Sequence, residues 1–390
     1  MLLLALAGCL AGAACGQQSP LPATDDGFLC LADSPDLLGW RPGSASRFRW
    51  QEGVLTRAGG GSILTDQLYE SFTLQLEYRI ARDGNSGVFL RAPLLGRQSA
   101  LGMELQIMGD SGRPPDTGTS GAIYDAAAPL VNAARPEGEW NELQVDLHGR
   151  ALRAVLNGQV IHDFSLDDPA VNAPLPAGLK LAERNHRGFI GLQDHGSEVS
   201  FRNIRLRPDP EEGFVSLLDA PLSLWTTETP AQFATADGIL QAAAPADGPA
   251  ALVGKQAYED YVLRLEYRVE AGARAVLQTR TSNRPNQAFV EVVMADDSDL
   301  GLTADVVGAL AGTAPPVAEA SRPVGEWNDL EAICRGRLVT VYLNGVHLLS
   351  TNTNYWGKFM YAPLEGPPAI VVSKGTVELR EMRVRALGRQ

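Results

Sequence analysis

The 390-residue chain holds four cysteines, and two of them, Cys9 and Cys15, fall within its first fifteen residues. The other two, Cys30 and Cys334, lie in different halves, which argues against the disulfide framework that staples small secreted folds. Cysteine pairs at zinc-binding spacing, an HExxH helix and a glycine-rich phosphate loop after a strand are all missing. Positive charge is in deficit: 33 Lys and Arg stand against 46 Asp and Glu, a net charge of -13. That balance argues against nucleic acid and anionic membrane surfaces as partners and leaves neutral ligands, sugars included, open. The apolar run at the N-terminus is too short to span a bilayer.

This run, residues 1 to 15, has small residues before each cysteine, as an export signal does. Leu6-Ala7-Gly8-Cys9 has the form of a lipoprotein cleavage box, with Cys9 the expected site of lipidation and Cys15 the fallback. Gly16 to Asp26 reads as a flexible tether, so residues 1–26 are taken as leader and tether. The expectation is an extracytoplasmic protein, periplasmic or on the cell surface, that meets the membrane only through a lipid anchor.

What the chain does have is glycine, proline and short apolar stretches: 40 Gly, 25 Pro and 45% hydrophobic residues. This is the profile of turn-rich, globular all-β structure. The length suits two domains of about 180 residues. Self-comparison supports that division. Tyr69-Glu-Ser-Phe-Thr-Leu-Gln-Leu-Glu-Tyr-Arg79 recurs as Tyr258-Glu-Asp-Tyr-Val-Leu-Arg-Leu-Glu-Tyr-Arg268, and Gly138-Glu-Trp-Asn141 recurs as Gly325-Glu-Trp-Asn328. Leu156-Asn-Gly158 and Leu343-Asn-Gly345 are matching hairpin signals. The copies run over residues 27–207 and 213–390, joined by the stiff polar linker 208–212.

Within each copy the hydrophobic period is two, as at Phe72, Leu74, Leu76 and Tyr78, and no long helical pattern intervenes. Two antiparallel sheets packed as a sandwich follow in each copy. Trp140 and Trp327 recur at matching places and read as core. Glu139 and Glu326 read as carboxylates that tie strand ends.

Gly188 to Gly196 sets Gln193, Asp194 and His195 just past an apolar strand, a mounting that suits catalytic groups. Alone, an Asp-His-Gly turn is more economically read as a solvated loop. The later copy alters the balance. Scaffold residues persist in both copies, whereas residues serving a site are lost from a copy without one. Asn85 and Ser86 have gone from the second copy, Gln106 has become Val293, and Tyr124 has become Ala311. Leu192-Gln193-Asp194-His195-Gly196 aligns with Val371-Val372-Ser373-Lys374-Gly375. Amides and carboxylates that bond hydroxyls, with an aromatic ring to cover a sugar face, make a carbohydrate site. Arg91 and Glu104 persist as Arg280 and Glu291, which reads as a structural ion pair or as an oriented catalytic carboxylate. Asp110, Asp116, Asp125, Asp194 and the histidines leave a divalent metal possible in principle, at no diagnostic spacing.

The chain resembles the 3-keto-disaccharide hydrolase domain family. The likeness is carried by GFLCLADSPDLLGW (27–40), GNSGVFLR (84–91), MELQI (103–107), GAIY (121–124), GEWN (138–141), LNG (156–158) and GFIGLQDHGSEVSFRNIRLR (188–207). It spans the first copy; the second shares the scaffold and departs at the polar positions. The resemblance implies two tandem concanavalin A-like jelly-roll sandwiches, with a site on the concave face of one sheet. It also implies substrates already oxidised at C3 by a separate sugar oxidoreductase acting upstream. In such a ketone C2–H is acidic and the C1 substituent is a β leaving group, so cleavage needs a base at C2 and donors at the enolate oxygen. His195, oriented by Asp194, is the first choice of base, and Glu104 the alternative. Arg91, Tyr124 or a metal held near Asp194 are candidates for the enolate, and Asn85, Ser86, Gln106 and Gln193 for the hydroxyls. A non-catalytic carbohydrate-binding module and a surface adhesion protein are the competing classes.

Overall fold

The computed structural model describes residues 21, 23–32, 34–41, 43–218, 222–282, 288–297 and 301–387. Cys9 and Cys15 lie outside the described residues. Each copy is a sandwich of two antiparallel sheets, eight-stranded over four-stranded in the first and eight-stranded over five-stranded in the second. Together they form two tandem jelly-roll β-sandwiches, an all-β fold. Alternation shows directly in burial: along Phe72–Ile80 the even positions 72 to 80 are all buried, and outward polar residues appear at Gln75, Glu77 and Arg79. Leu74, Leu76, Val145, Val88, Leu105 and Ile190 meet between the sheets of the first copy in one continuous core.

The small sheet of the first copy carries four strands, β1 (Ile63–Leu64), β2 (Asn85–Ala92), β3 (Met103–Met108) and β4 (Phe189–Leu192), in the spatial order β1-β4-β2-β3. In the second copy β5 (Arg274–Gln278), β6 (Glu291–Ala295) and β7 (Ala369–Lys374) take the places of β2, β3 and β4.

Trp140 and Trp327 are not core residues. Each is half-buried with guanidinium groups against its ring: Arg79 and Arg202 over Trp140, Arg268 and Arg380 over Trp327. The contact is cation–π, which explains why tryptophan and arginine recur together. Cys30 and Cys334 are free thiols.

Candidate active site

The pleat decides which residues share the outer face of the small sheet. Val88 and Leu90 of β2, Leu105 and Ile107 of β3, and Ile190 and Leu192 of β4 point into the core. Their neighbours therefore point outward: Asn85, Gly87 and Phe89 from β2, Glu104 and Gln106 from β3, and Phe189 and Gly191 from β4. Gly87 lies opposite Gln106, and Phe89 opposite both Glu104 and Gly191. Gln193 continues β4, its backbone N–H donating to Gly87 O at 2.9 Å. Residues 121–124 lie along the free edge of β3, with Tyr124 N–H donating to Glu104 O at 2.9 Å.

Two glycines make room on this face. A Cβ at Gly87 would stand 2.6 Å from Glu104 Oε1, and one at Gly191 would stand 2.6 Å from Leu64 and 2.9 Å from the Phe89 ring. The Glu104 side chain lies folded over Gly87.

Glu104 is nearly inaccessible, at 3% exposure. Burial drives its pKa up, to about 7; a hydrogen bond from Gln193 and the charge of Arg97 pull the other way, and Asp125 adds a little to the rise. With its amide turned so that nitrogen faces the carboxylate, Gln106 donates to Glu104 Oε1 at 2.9 Å and to Ser86 O at 3.1 Å. Asn85 Oδ1 and Gln193 Oε1 are buried acceptors without a partner. Orphaned acceptors at a protein face are places where a ligand's hydroxyl can donate. Glu104, Gln106, Gln193 and Asn85 thus form one group, with Tyr124 half-buried at its edge.

The other expected residues sit elsewhere. Asp194 does not orient His195. Its Oδ1 accepts from Arg57 Nε and from Gly196 N–H at 2.9 Å, and its Oδ2 accepts from Gly61 N–H at 3.1 Å. Burial pushes the Asp194 carboxyl up, but Arg57 and the two N–H groups outweigh it and hold the pKa below the usual range. Both oxygens are occupied by donors, which is a loop clamp and not a cation site. Among the described residues no three His, Cys, Asp or Glu side chains are placed to hold a metal ion. His195 is exposed on the loop past the clamp.

Arg91 and Glu104 form no ion pair. Arg91 is fully buried and clamps backbone, donating to Glu70 O and, at 2.7 Å, to Gly149 O. Arg280 does the same to Glu259 O and Gly336 O, so the shared arginine is scaffold. Ser86, also fully buried, donates to Gln193 O at 2.8 Å and supports the strand carrying the amide.

The sheet register also corrects one pairing between the copies. Val276, the counterpart of Gly87, lies opposite Val371, so Gln193 corresponds to Val371 and not to Val372. Gly191 corresponds to Ala369. The two glycines of the cradle and Arg57 escaped the sequence reading. For Gly87 a signal was present, since glycine had become valine in the second copy.

A cleft of about 2190 Å³ lies elsewhere, between the copies, walled by residues such as Arg41, Glu70, Arg264 and Trp327. Arg264 pairs across the joint with Glu70 of the first copy, and also with Glu211 of the linker and Glu331 of its own copy. No member of the Glu104 group lines it.

Comparison with known proteins gives three relevant likenesses. A 3-keto-disaccharide hydrolase of Bacteroides thetaiotaomicron is 25% identical over 48% of this chain and 80% of its own. A solved structure from Parabacteroides distasonis, named as a candidate glycosyl hydrolase, is 27% identical over 47% of this chain and 99% of that one, with a TM-score of 0.41. The carbohydrate-binding module CBM66 from Bacillus subtilis is 14% identical over 42% of this chain and 96% of that one, with a TM-score of 0.33. The profile of the 3-keto-alpha-glucoside-1,2-lyase-like domain matches residues 27–207 and again residues 213–385, and the chain belongs to that family.

Proposed function

We propose that the first copy cleaves the C1–O bond of 3-keto-glycosides, such as 3-keto-disaccharides, with Glu104 as the base that takes the C2 proton. The observation that carries this reading is a buried carboxylate with its pKa lifted to about 7, flanked by two amides over a glycine cradle. A base poised near the working pH is what abstraction of a moderately acidic C–H requires. Family membership and the named relative supply the substrate class.

The C2–H electron pair forms the enolate C2=C3–O⁻ as the proton passes to Glu104. Collapse of the enolate makes C1=C2, restores the C3 ketone and expels the C1 oxygen, which takes up a proton. Water then adds, hydroxyl to C1 and hydrogen to C2. Unpartnered Asn85 Oδ1 and Gln193 Oε1 accept from sugar hydroxyls. Tyr124, half-buried and bonded through its backbone N–H to Glu104 O, borders the sugar in this reading.

Turnover of a synthetic 3-keto-glucoside in deuterated water tests the reading. Deuterium should enter at C2, and Glu104→Gln should stop it. Binding of oxidised sugar without turnover would establish the carbohydrate-binding alternative instead. We also propose an exported, lipid-anchored protein fed by a separate sugar 3-oxidoreductase. Palmitate-analogue labelling that survives loss of both Cys9 and Cys15 would refute the anchor.

A further inference from the structure

Three consecutive residues of the first copy, just before β4, are held by the second copy. Asn185 Nδ2 donates to Gly345 O at 3.1 Å. His186 Nε2 stands 2.8 Å from Glu331 Oε1. Arg187 makes a two-pronged bond to Asp329, 2.7 Å to Oδ1 and 2.9 Å to Oδ2. Arg187 and Asp329 are both buried, and so is Glu331. Planar, bidentate pairs of this kind fix orientation as well as distance.

The same joint presses on the sheet from a second direction. The Asn344-Gly345 turn of the second copy seats on the first: Leu94 N–H donates to Asn344 O at 3.3 Å. The Gly345 Cβ position lies 3.0 Å from Leu68 Cδ2 and 3.7 Å from the Phe189 ring. Leu64, Leu68, Phe89, Ala92 and Phe189 form one apolar cluster there. Phe89 is the cross-strand neighbour of Glu104.

Strand β4 needs such support. It has four residues, its register against β2 slips between Phe189 and Gly191, and its other neighbour, β1, has two residues. A short strand with a register shift fixes its end residues weakly. A tether that only kept the copies together would serve as well far from the site, but this one grips residues 185–187, within eight positions of Gln193.

We propose that the second copy is a positioning element for the first copy's reaction: through Gly345, Glu331 and Asp329 it holds Asn185, His186 and Arg187, and thereby the strand that aims Gln193 at Glu104. The proposal rests on the reading of Glu104 as the base. The groups acting on Glu104 are Gln106 and Gln193 by hydrogen bonds, and Arg97 and Asp125 by charge. None belongs to the second copy, so its influence passes through β4.

The test uses the full chain with Asp329→Ala and, as a gentler change, Asn185→Ala. In Asp329→Ala, kcat on a 3-keto-glucoside should fall about ten- to a hundredfold, the scale on which a misplaced group costs rate, with little change in KM. The rising limb of the pH–rate profile should move to higher pH, because a loosened Gln193 no longer holds the Glu104 pKa down. Hydrogen exchange should quicken over residues 189–193 and stay unchanged over 151–156. Asn185→Ala should show the same changes, smaller, and it decides the matter if Asp329→Ala does not fold. A folded variant with wild-type kcat, pH limb and exchange at 189–193 overturns the proposal. If the wild-type protein turns over no 3-keto-glycoside while exchange at 189–193 still quickens in the variant, the functional reading fails and the anchoring stands.

Discussion

The two copies share a sheet, a register and a glutamate, and differ in what surrounds the glutamate. In the first copy Glu104 lies over Gly87, with Gln106 and Gln193 beside it and Gly191 behind. In the second, Glu291 faces Val276, Val293, Val371 and Ala369 at the corresponding positions. Its Oε1 accepts from Gln278 at 2.8 Å, the residue that replaces Phe89. Val276 and Ala369 carry side-chain atoms where Gly87 and Gly191 have none, and a local amide occupies the carboxylate. The retained carboxylate alone therefore does not distinguish the copies; the glycine beneath Glu104 and the two amides bonded to it do.

Removing the carboxylate should have the largest effect. Glu104→Gln should lower kcat about 100- to 10,000-fold, the usual yield of a general base, with modest change in KM. In the wild type only ionised Glu104 can accept the proton. Turnover should therefore rise with pH through about 7, and a flat profile from pH 6 to 8 would count against Glu104. The first copy can next be made to look like the second. Gly87→Val should abolish measurable turnover, since its first side-chain atom already conflicts with the 2.6 Å approach of Glu104 Oε1, while the thermal transition survives. The fragment from Gly213 onward should show no turnover even when folded, and activity there would undo the comparison.

Asp194→Asn should leave the chemistry largely in place and lower stability by about 1 kcal/mol, because Arg57 is partly exposed and solvent screens the pair. The Asp194 pKa is depressed in the folded protein. Its contribution is therefore present above the unfolded value, about 3.9, and disappears as pH falls through the folded one, so thermal transitions of wild type and variant should converge in acid. The smallest effect is expected at His195: exposed as it is, His195→Ala should change turnover within about threefold, roughly what 0.5 kcal/mol represents.

Much of this was legible in the sequence because a duplication is an internal control. The period-two patterns gave the sheets, and the loss of Gln106 and Gln193 from the second copy pointed at the two amides beside Glu104. Asp194 misled for a physical reason: a lost carboxylate looks the same whether it served a substrate or a neighbouring loop, and only Arg57, some 140 positions away in sequence, tells them apart. Arg91 and Ser86 misled because strand position does not reveal whether a polar side chain faces a ligand or a buried carbonyl. The joint between copies was hidden in ordinary-looking changes, such as Glu142 to Asp329 and Gln144 to Glu331, which become intelligible once one sheet face is covered and the other is not.

That asymmetry has a consequence for assembly. The joint is heterologous: the end of one sandwich's small sheet meets the broad sheet of the next, and a contact of this type can repeat without limit unless something terminates it. The positions corresponding to the joint on the two outer faces do not complement each other. On the first copy's broad sheet, Glu142 stands where Asp329 receives Arg187, with its side chain 68% exposed. On the second copy, Tyr258 pairs with Gly366 as Tyr69 pairs with Gly188, so Glu365 takes the place of Arg187. A third sandwich arriving head-to-tail would bring Glu365 against Glu142, like charge against like. Like charge at that contact disfavours head-to-tail addition of a further sandwich.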